Sequence, residues 1–377
     1  MARLSRLSIS RLLDHPRTVT AVAIGAVVVL GLVAGLLRLL PIGSRPTDGV
    51  PRIVFAAFGR TSDILYVAPA TNPDEREVIG KIEHAQDWGI NPTMRGDLIA
   101  YVAMPPGSAA TATTPAELWV LNASTQDRTR LARDADVYIQ PRFAPDGKSI
   151  LYRRSAGDTQ AILSVDLASQ ARTVLHEGRG ITPLGHDAAG SLVYSQLSSA
   201  GTDVYTKRGA DAPRLAFHAS DEPVQGLQIS PDAESVAFLA MELRAERIVS
   251  RAIVMRLDSG QRVPLPDTNP LAEQYGPAWT RDGANISVGQ QPPPGAGAPV
   301  VLLQPGEVSN ALPAPAKGFD VPFAWSDGGT YLLARTLDGE SAHNAGRESA
   351  VVIATNGQRY PVSTPGEVIL VGWLPNA

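Results

Sequence analysis

Cysteine is absent from this chain of 377 residues. Its absence excludes disulfide bonds, zinc sites with thiolate ligands, a cysteine nucleophile and a lipid attached through an N-terminal cysteine. Aromatic residues make up only 6% of the sequence, whereas glycine and proline are plentiful, with 34 and 31 copies, and the hydrophobic fraction is 44%. These proportions predict a globular protein built from many short strands joined by turns.

Positive charge is scarce in most of the chain. Beyond residue 41 there are 28 basic and 36 acidic residues, a formal net charge of −8. A surface of this charge attracts neither the phosphates of nucleic acid nor anionic lipid. We therefore expect no nucleic-acid partner, and we expect membrane contact only through the N-terminal segment.

One long apolar run stands near the N-terminus, "TVTAVAIGAVVVLGLVAGLL" at 18–37, twenty residues without a charge. As a helix it would be about 30 Å long, the thickness of a bilayer core. A cleaved signal peptide has a shorter apolar region of about 7–15 residues followed by a small-residue site. Here Arg38, Leu39 and Leu40 follow instead, so the run predicts a retained transmembrane anchor over 18–41.

The residues before this run are basic and predict its orientation. Four arginines stand against the single acid Asp14, namely Arg3, Arg6, Arg11 and Arg17. By the positive-inside rule, the tail 1–17 is cytoplasmic, while the linker 42–51 and the domain 52–377 are extracytoplasmic. We therefore expect a single-pass protein of the cell membrane.

Gly31 and Gly35 form a G-x-x-x-G pair inside the predicted anchor. Such a pair lets two membrane helices pack closely and would allow the anchors to dimerise. Glycine is also common in membrane helices that do not dimerise. Dimerisation through Gly31 and Gly35 is therefore the weaker of the two interpretations.

A short phrase, "PRFAPDGKSILY" at 141–152, recurs along the chain. Clear copies stand at 227–238, 277–288 and 323–334, and weaker ones at 90–101 and 183–194. The anchor residues of the phrase are 43 to 50 residues apart when one degenerate copy is counted between the first two, namely Phe143, Ile229, Trp279, Trp325 and Trp373. A period of about 45 residues is that of the four-stranded blades of a β-propeller.

Each repeat predicts a strand A, a tight turn, a strand B, a loop, a strand C, a turn and a strand D. Asp146 and Gly147 belong to the turn, because Asp-Gly adopts the positive φ angles of tight hairpins. Phe143 and its counterparts end strand A, where we expect them to pack between blades rather than to bind a ligand. Lys148 is predicted to face solvent.

The two ends of the repeat array complement each other. The segment "RIVFAAF" at 52–58 matches a strand B without its own strand A, and "GEVILVGWLPNA" at 366–377 matches a strand A. Pairing these two segments would close the ring and remove open sheet edges. The sequence predicts an all-β, seven-bladed β-propeller, with six blades as the alternative if 183–217 is not a blade.

The pattern P-x-[WF]-[SA]-P-D-G followed by an alternating strand resembles the WD-like repeats of TolB, a periplasmic translocation protein. It also resembles the propellers that cap prolyl-oligopeptidase-type peptidases. The resemblance covers 52–377 and implies the fold rather than an activity. TolB-type proteins carry an α/β domain before the propeller, whereas here an anchor and a linker precede it. A role in the Tol envelope system is therefore not implied.

Four long insertions all fall between strands B and C, at 104–116, 240–250, 290–299 and 336–348. In a propeller the B–C and D–A connections share one face, and the A–B and C–D turns share the other. The predicted linker enters at a strand B, on the A–B side, so the insertions are expected on the membrane-distal face. Loops on a rigid scaffold commonly carry recognition. We expect a protein, peptide or glycan partner there.

No enzyme motif stands out. The chain has no G-x-S-x-G elbow, and "WTRDG" and "WSDGG" are turns rather than the Asp boxes of sialidases. Ser341 and His343 are neighbours in a loop without an orienting acid. Asp134 and Asp136 lack the further ligands of a calcium loop and are interpreted as a solvated turn. The histidines have no zinc-ligand spacing, namely His15, His84, His176, His186, His218 and His343.

We therefore assign no catalytic, cofactor-binding or metal-binding residue and expect no cofactor. Two functions remain open from the sequence. The first is a membrane-anchored binding or scaffolding propeller, and the second is a glycan-active hydrolase or lyase whose polar residues converge in the central channel. A cluster of carboxylates, histidines or arginines at the channel mouth would favour the enzyme, whereas a channel plugged by apolar residues would exclude it.

Overall fold

A computed structural model describes residues 49–111, 113–244, 246–266, 269–304 and 311–375. Within these ranges 27 strands form seven antiparallel sheets, and no helix is present. The described residues therefore contain no helix that is long and apolar enough to cross a membrane. The predicted anchor 18–41 and its Gly31/Gly35 pair lie outside the described residues.

The first four sheets, blades 1 to 4, have four strands each. Their strands are β1 (Arg52–Ala57), β2 (Ser62–Pro69), β3 (Glu77–Glu83) and, from much later in the chain, β27 (Val368–Leu374) in blade 1; β4 (Asn91–Arg95), β5 (Leu98–Ala103), β6 (Ala116–Asn122) and β7 (Arg128–Ala135) in blade 2; β8 (Arg142–Phe143), β9 (Ser149–Ala156), β10 (Thr159–Asp166) and β11 (Arg172–Gly178) in blade 3; β12 (Ile181–His186), β13 (Leu192–Ser198), β14 (Gly201–Lys207) and β15 (Arg214–Ser220) in blade 4.

The remaining three sheets follow in chain order. Their strands are β16 (Gln225–Ile229), β17 (Ser235–Arg244), β18 (Arg247–Arg256) and β19 (Arg262–Val263) in blade 5; β20 (Gln274–Trp279), β21 (Ile286–Gln290) and β22 (Val301–Leu303) in blade 6; β23 (Phe319–Trp325), β24 (Tyr331–Leu337), β25 (Glu348–Ala354) and β26 (Arg359–Val362) in blade 7. The prediction of seven blades is confirmed, and the weak copy at 183–194 belongs to a complete blade.

The strand A of each blade lies beside the strand A of the next, in the order β27, β4, β8, β12, β16, β20, β23 and back to β27. This cyclic order places the seven A strands around a central channel. The ring closes through blade 1, where β27 pairs with β1 from Arg52↔Leu374 to Ala57↔Val368. The predicted closure of the first blade by the late strand is therefore confirmed.

The turns of the recurring phrase have the expected chemistry. In blade 3 the carboxylate of Asp146 accepts a 2.9 Å hydrogen bond from the backbone N–H of Lys148, and Gly147 has a φ of 71°. Lys148 is exposed, as predicted. In blade 5 the glycine position of this turn is occupied by Ala233, which adopts a φ of 60°.

The residues that end strand A pack between blades. Phe143 lies against an apolar cluster that blades 2 and 3 share. Each of three tryptophans donates its indole N–H to the preceding blade: Trp279 to the carbonyl oxygen of Gln228 at 3.2 Å, Trp325 to Ser287 Oγ at 3.0 Å and Trp373 to the carbonyl oxygen of Ala324 at 2.9 Å. These side chains are structural wedges, as the sequence predicts.

One predicted loop is a hairpin instead. The interpretation of 240–250 as a B–C insertion is wrong, because β17 and β18 remain paired as far as Arg244↔Arg247. Apolar and polar residues alternate along the end of β17, from Met241 to Arg244. Since β17 and β18 are ten residues long each, this hairpin of blade 5 extends beyond the ring. The other three insertions are B–C connections, as predicted.

Candidate functional site

The D–A and B–C connections surround one opening of the central channel, here called the mouth face. Two cavities open there, of about 860 Å³ and 470 Å³. Asn91 and Gln140 line both cavities and mark where they meet. The channel mouth is therefore open rather than plugged by apolar side chains. Both volumes lie in the range of ligand sites.

The larger cavity lies beside blades 7 and 1 and has a charged lining. It contains two guanidinium groups, Arg335 and Arg347, and two carboxylates, Glu348 and Glu367. Arg335 Nε lies 3.4 Å from Glu348 Oε1, and both side chains of this pair are about half exposed. Charges of both signs therefore balance at this part of the mouth.

The smaller cavity lies beside blades 2 to 5 and differs in charge. Among the described residues of its lining, Arg142 is the only charged side chain and no carboxylate is present. Polar neutral groups come from Thr182 and Ser195, and apolar groups come from Leu184 and Leu227, besides others. This cavity is therefore positively charged and has both polar and apolar side chains in its lining.

The short strand β8 sets the direction of Arg142. Phe143 packs into the cluster between blades 2 and 3, and consecutive side chains of a strand point to opposite faces. Arg142 therefore points away from that cluster and lines the cavity. No hydrogen bond or ion pair joins its guanidinium to a described residue, and its Nε is buried without a partner. The surrounding protein desolvates the group and lowers the pKa of Arg142.

Asp136, an acid in the loop before β8, is already engaged. Asp136 Oδ2 accepts hydrogen bonds from Arg153 Nη2 at 2.8 Å and from Ser155 Oγ at 2.5 Å. Burial disfavours the charge of Asp136, but the hydrogen bonds from Ser155 and Arg153 outweigh it and hold the pKa of this carboxyl below its usual value. Arg153 Nη1 also donates to the carbonyl oxygen of Ile181 at 3.0 Å, which links the loop before β8 to blade 4.

The interpretation of Asp134 and Asp136 as a solvated turn is wrong. Asp136 is 92% buried against Arg153, and Asp134 contacts Arg154 and Arg172 at 3.8 and 3.3 Å. Arginines on β9 and β11, which the sequence places far from these acids, form the ion pairs. Among the described residues no group of three or more His, Asp or Glu side chains could hold a metal ion.

The histidines lie in different environments. His84 Nε2 lies 3.1 Å from Asp63 Oδ1, with both side chains fully buried. His218 lies between two acids, with Nδ1 at 2.7 Å from Asp203 and Nε2 at 3.1 Å from Asp221, and the hydrogen bond with Asp203 above all raises the pKa of His218. His176 packs on Tyr194 at 4.5 Å. His186 has a buried Nδ1 without a partner. His15 lies outside the described residues.

The loop pair Ser341 and His343 belongs to the B–C connection of blade 7. Ser341 Oγ accepts a hydrogen bond of 3.2 Å from the backbone N–H of Asn344. The same connection contacts blade 6, where the N–H of Ala342 donates to the hydroxyl of Tyr275 at 3.3 Å. Ser341 thus takes part in a turn on the mouth face.

The mouth face also carries exposed apolar side chains at the tip of the blade 5 hairpin. Leu243 and Ile248 are opposite each other in the β17–β18 register, and they are 74% and 65% exposed. Met241 follows the same face of β17 and is 52% exposed. On the other face, Glu242 contacts both Arg244 and Arg262 at 2.7 Å. The hairpin tip, Met241, Leu243 and Ile248, is therefore an apolar surface on the mouth face.

Sequence reasoning missed Arg142, although this residue stands inside the recurring phrase. At the position before the anchor residue, the other clear copies have uncharged residues, namely Gln228, Ala278, Ala324 and Gly372. A charge that appears in one repeat only, on the channel side of strand A, is the signal that marks it. The lack of a polar partner for Arg142 depends on the residues that blades 4 and 5 place around the cavity, and the local sequence does not show it.

No family model matches the chain, and no curated protein matches it. Several solved structures are similar in fold. TolB from Acinetobacter baumannii has 17% sequence identity and a TM-score of 0.50, with 86% of this chain and 83% of that chain covered. An oligogalacturonate lyase in complex with manganese has 14% identity and a TM-score of 0.54, with 84% and 86% covered.

The β-propeller domain of the Trilobed protease from Pyrococcus furiosus has 12% identity and a TM-score of 0.51, with 84% of this chain and 97% of that chain covered. That domain is described as having an open velcro topology, whereas β27 closes blade 1 here. At these identities the likeness concerns the fold alone. The described chain has a TolB-like, seven-bladed β-propeller fold.

Proposed function

We propose that this protein is a membrane-anchored, extracytoplasmic binding or scaffolding propeller that holds a partner on its mouth face. The observation that carries the proposal is the apolar hairpin tip. Large apolar side chains that project into water beyond the ring are characteristic of surfaces that a partner covers. Since the tip offers aliphatic side chains rather than aromatic planes, it favours a protein or peptide over a glycan.

The arrangement of the connections supports the same face. The B–C connections of blades 2, 6 and 7 join the hairpin tip there, and loops on a rigid scaffold are suited to recognition. The described chain begins beside the start of β1, on the side of the A–B turns. With 18–41 as an anchor, the mouth face would point away from the membrane.

Co-purification of the full-length chain from membranes of its own organism tests this proposal. We expect Leu243→Ser with Ile248→Ser, and separately the deletion of 290–299 with 336–348, to abolish capture of a specific partner while thermal unfolding changes little. The matched control is Val78→Ser, which removes an apolar side chain 57% exposed on the outer strand β3. Capture that survives both mouth-face changes, or that is lost equally with Val78→Ser, would overturn the proposal.

A glycan-active propeller enzyme, hydrolase or lyase, is the second candidate. The observation that favours it is the open, charged part of the mouth, where Glu348 and Glu367 line one cavity with Arg335 and Arg347. Two carboxylates across a cleft are the groups that glycoside hydrolysis uses. Cleavage of a polysaccharide panel that Glu348→Gln and Glu367→Gln each abolish would support this candidate, and no cleavage by the wild type would remove it.

A further inference from the structure

We propose that the 470 Å³ cavity beside blades 2 to 5 binds the C-terminal end of a peptide, with the terminal carboxylate on Arg142. The inference deepens the proposed function, on which it rests: it names the chemistry of a ligand at the mouth face. It concerns the channel cavity and not the hairpin tip, so the two can be tested separately.

The charge of the cavity is the first argument. A guanidinium without a partner in a partly desolvated site is costly, because its donors have lost water without gaining acceptors. The lining of the cavity offers no acid in the described chain, and Asp136 is engaged with Arg153 and Ser155. A monoanionic ligand would supply the hydrogen-bond acceptors and the negative charge that Arg142 lacks. The planar guanidinium fork matches a carboxylate in two parallel hydrogen bonds.

The repeats provide the second argument. A propeller tolerates a small or neutral residue at this position, as Ala278, Ala324 and Gly372 show in other blades. The fold therefore does not require an arginine before the wedge residue. Because the guanidinium of Arg142 makes no hydrogen bond or ion pair with the described residues, its donors are available to a ligand.

The rest of the lining distinguishes a peptide end from an acidic sugar. Most of its neutral polar groups already have partners: Asn91 donates to Val137, Gln140 to Pro92 and Thr202 to Glu222, while Thr182 accepts from Arg153. The Ser195 hydroxyl has no such partner among the described residues.

A sugar ring needs several free donors and acceptors, whereas a peptide end needs a carboxylate site and apolar contacts. Side chains suited to apolar contacts line the same cavity as Arg142, namely Pro183, Leu184, Leu197, Val224 and Leu227. The rim is open as well, since Leu197 and Tyr138 are 48% and 56% exposed. A short extended chain end with one apolar side chain fits this combination of charge and surface.

Fluorescence anisotropy on the full-length chain in detergent provides the test. The probes are fluorescein-labelled tetrapeptides that end in Leu, Val or Phe, each as the free acid and as the C-terminal amide. We expect a free acid to bind at least about tenfold more tightly than its amide, because the amide lacks the charge-assisted hydrogen bonds. Arg142→Gln should remove this preference, and Arg142→Lys should retain part of it.

The matched control is Arg179→Gln, since Arg179 is an exposed arginine next to Gly180 of the cavity lining. This variant should bind like the wild type. Thermal unfolding adds a second measurement: a free-acid peptide should raise the melting temperature of the wild type by mass action but not that of Arg142→Gln. Arg142→Gln alone should unfold at the same or a higher temperature, because it removes an unpaired charge.

Equal affinity for acids and amides, unchanged binding by Arg142→Gln, or no binding by any peptide would overturn the inference, as would tighter binding of an oligouronate than of every peptide. These failures are distinguishable from failure of the proposed function. If Arg142→Gln still captures a partner that Leu243→Ser with Ile248→Ser loses, the mouth face binds a partner without the carboxylate site.

Discussion

The indole Nε1 of Trp373, in the strand that closes blade 1, donates a 2.9 Å hydrogen bond to the carbonyl oxygen of Ala324 in blade 7. Trp325 and Trp279 make the same kind of link one and two blades earlier, respectively. The strand that completes the ring is thus also bonded to the neighbouring blade. Closure of the propeller depends on both the β27–β1 pairing and this wedge.

Replacing this wedge should weaken the ring. We expect Trp373→Ala to lower the free energy of unfolding by roughly 2 to 3 kcal/mol, since the side chain is only partly buried. Trp373→Phe keeps most of the packing and should lose about 1 kcal/mol for the hydrogen bond. Urea unfolding followed by circular dichroism measures both values. An unfolding midpoint of Trp373→Ala equal to that of the wild type would contradict the role of the wedge.

A buried acid fixes the corner between blades 1 and 2. Asp63 is fully buried and accepts hydrogen bonds from the N–H of Ile90 at 2.8 Å, from the N–H of Gly59 at 3.1 Å and from His84 Nε2 at 3.1 Å. Asp63→Ala leaves these donors buried without an acceptor and should cost about 3–5 kcal/mol. The control Asp87→Asn removes the charge of an exposed pair with Arg60, keeps a residue type that tolerates the φ of 63° at this position, and should cost less than about 1 kcal/mol. Similar losses for the two variants in thermal unfolding would refute the assignment.

A pair of turn variants should have opposite signs. Ala233 and Gly147 occupy the same turn position in blades 5 and 3, with φ values of 60° and 71°. Ala233→Gly relieves a left-handed conformation that costs an alanine roughly 1–2 kcal/mol. It also raises the conformational entropy of the unfolded chain, which lowers the free energy of unfolding by about 0.4–1 kcal/mol. We therefore expect a net stabilisation for Ala233→Gly and a destabilisation for Gly147→Ala. Calorimetry measures both, and two shifts of the same sign would count against the shared turn geometry.

The stability contribution of His218 should depend on pH. Hydrogen bonding to Asp203 raises the folded-state pKa of His218, so its stabilisation is present below the unfolded pKa and is lost as the pH rises through the folded pKa. The advantage of the wild type over His218→Gln should be larger at pH 5.5 than at pH 8.5. It should stay below about 1 kcal/mol because the side chain is 45% exposed. Chemical unfolding at both pH values measures this advantage, and in an Asp203→Asn background the difference should become smaller, because only the contact with Asp221 remains. An advantage that does not change with pH would contradict the proposed role.

The blades could be predicted from sequence because the signals are local and repeated. Asp146, Gly147 and Phe143 define a turn and a wedge within a few residues, and recurrence of this pattern gives the blade number. The extended hairpin was missed because polar residues such as Glu242 and Arg244 resemble a loop. Their partner Arg262 lies on β19, at a distance that no local pattern encodes. Arg142 was missed for the same reason, since its lack of partners is a property of several blades together.

The central claim is that the mouth face holds a partner, and site-specific photo-crosslinking tests it most directly. A benzophenone amino acid is placed at Leu243 on the hairpin tip or, in a matched variant, at Val78 on the outer strand β3, in the full-length chain in cells of its own organism. We predict a discrete crosslinked product of defined mass from position 243 and none from position 78. The same products from both positions, or none from position 243 in any growth condition, would contradict the account.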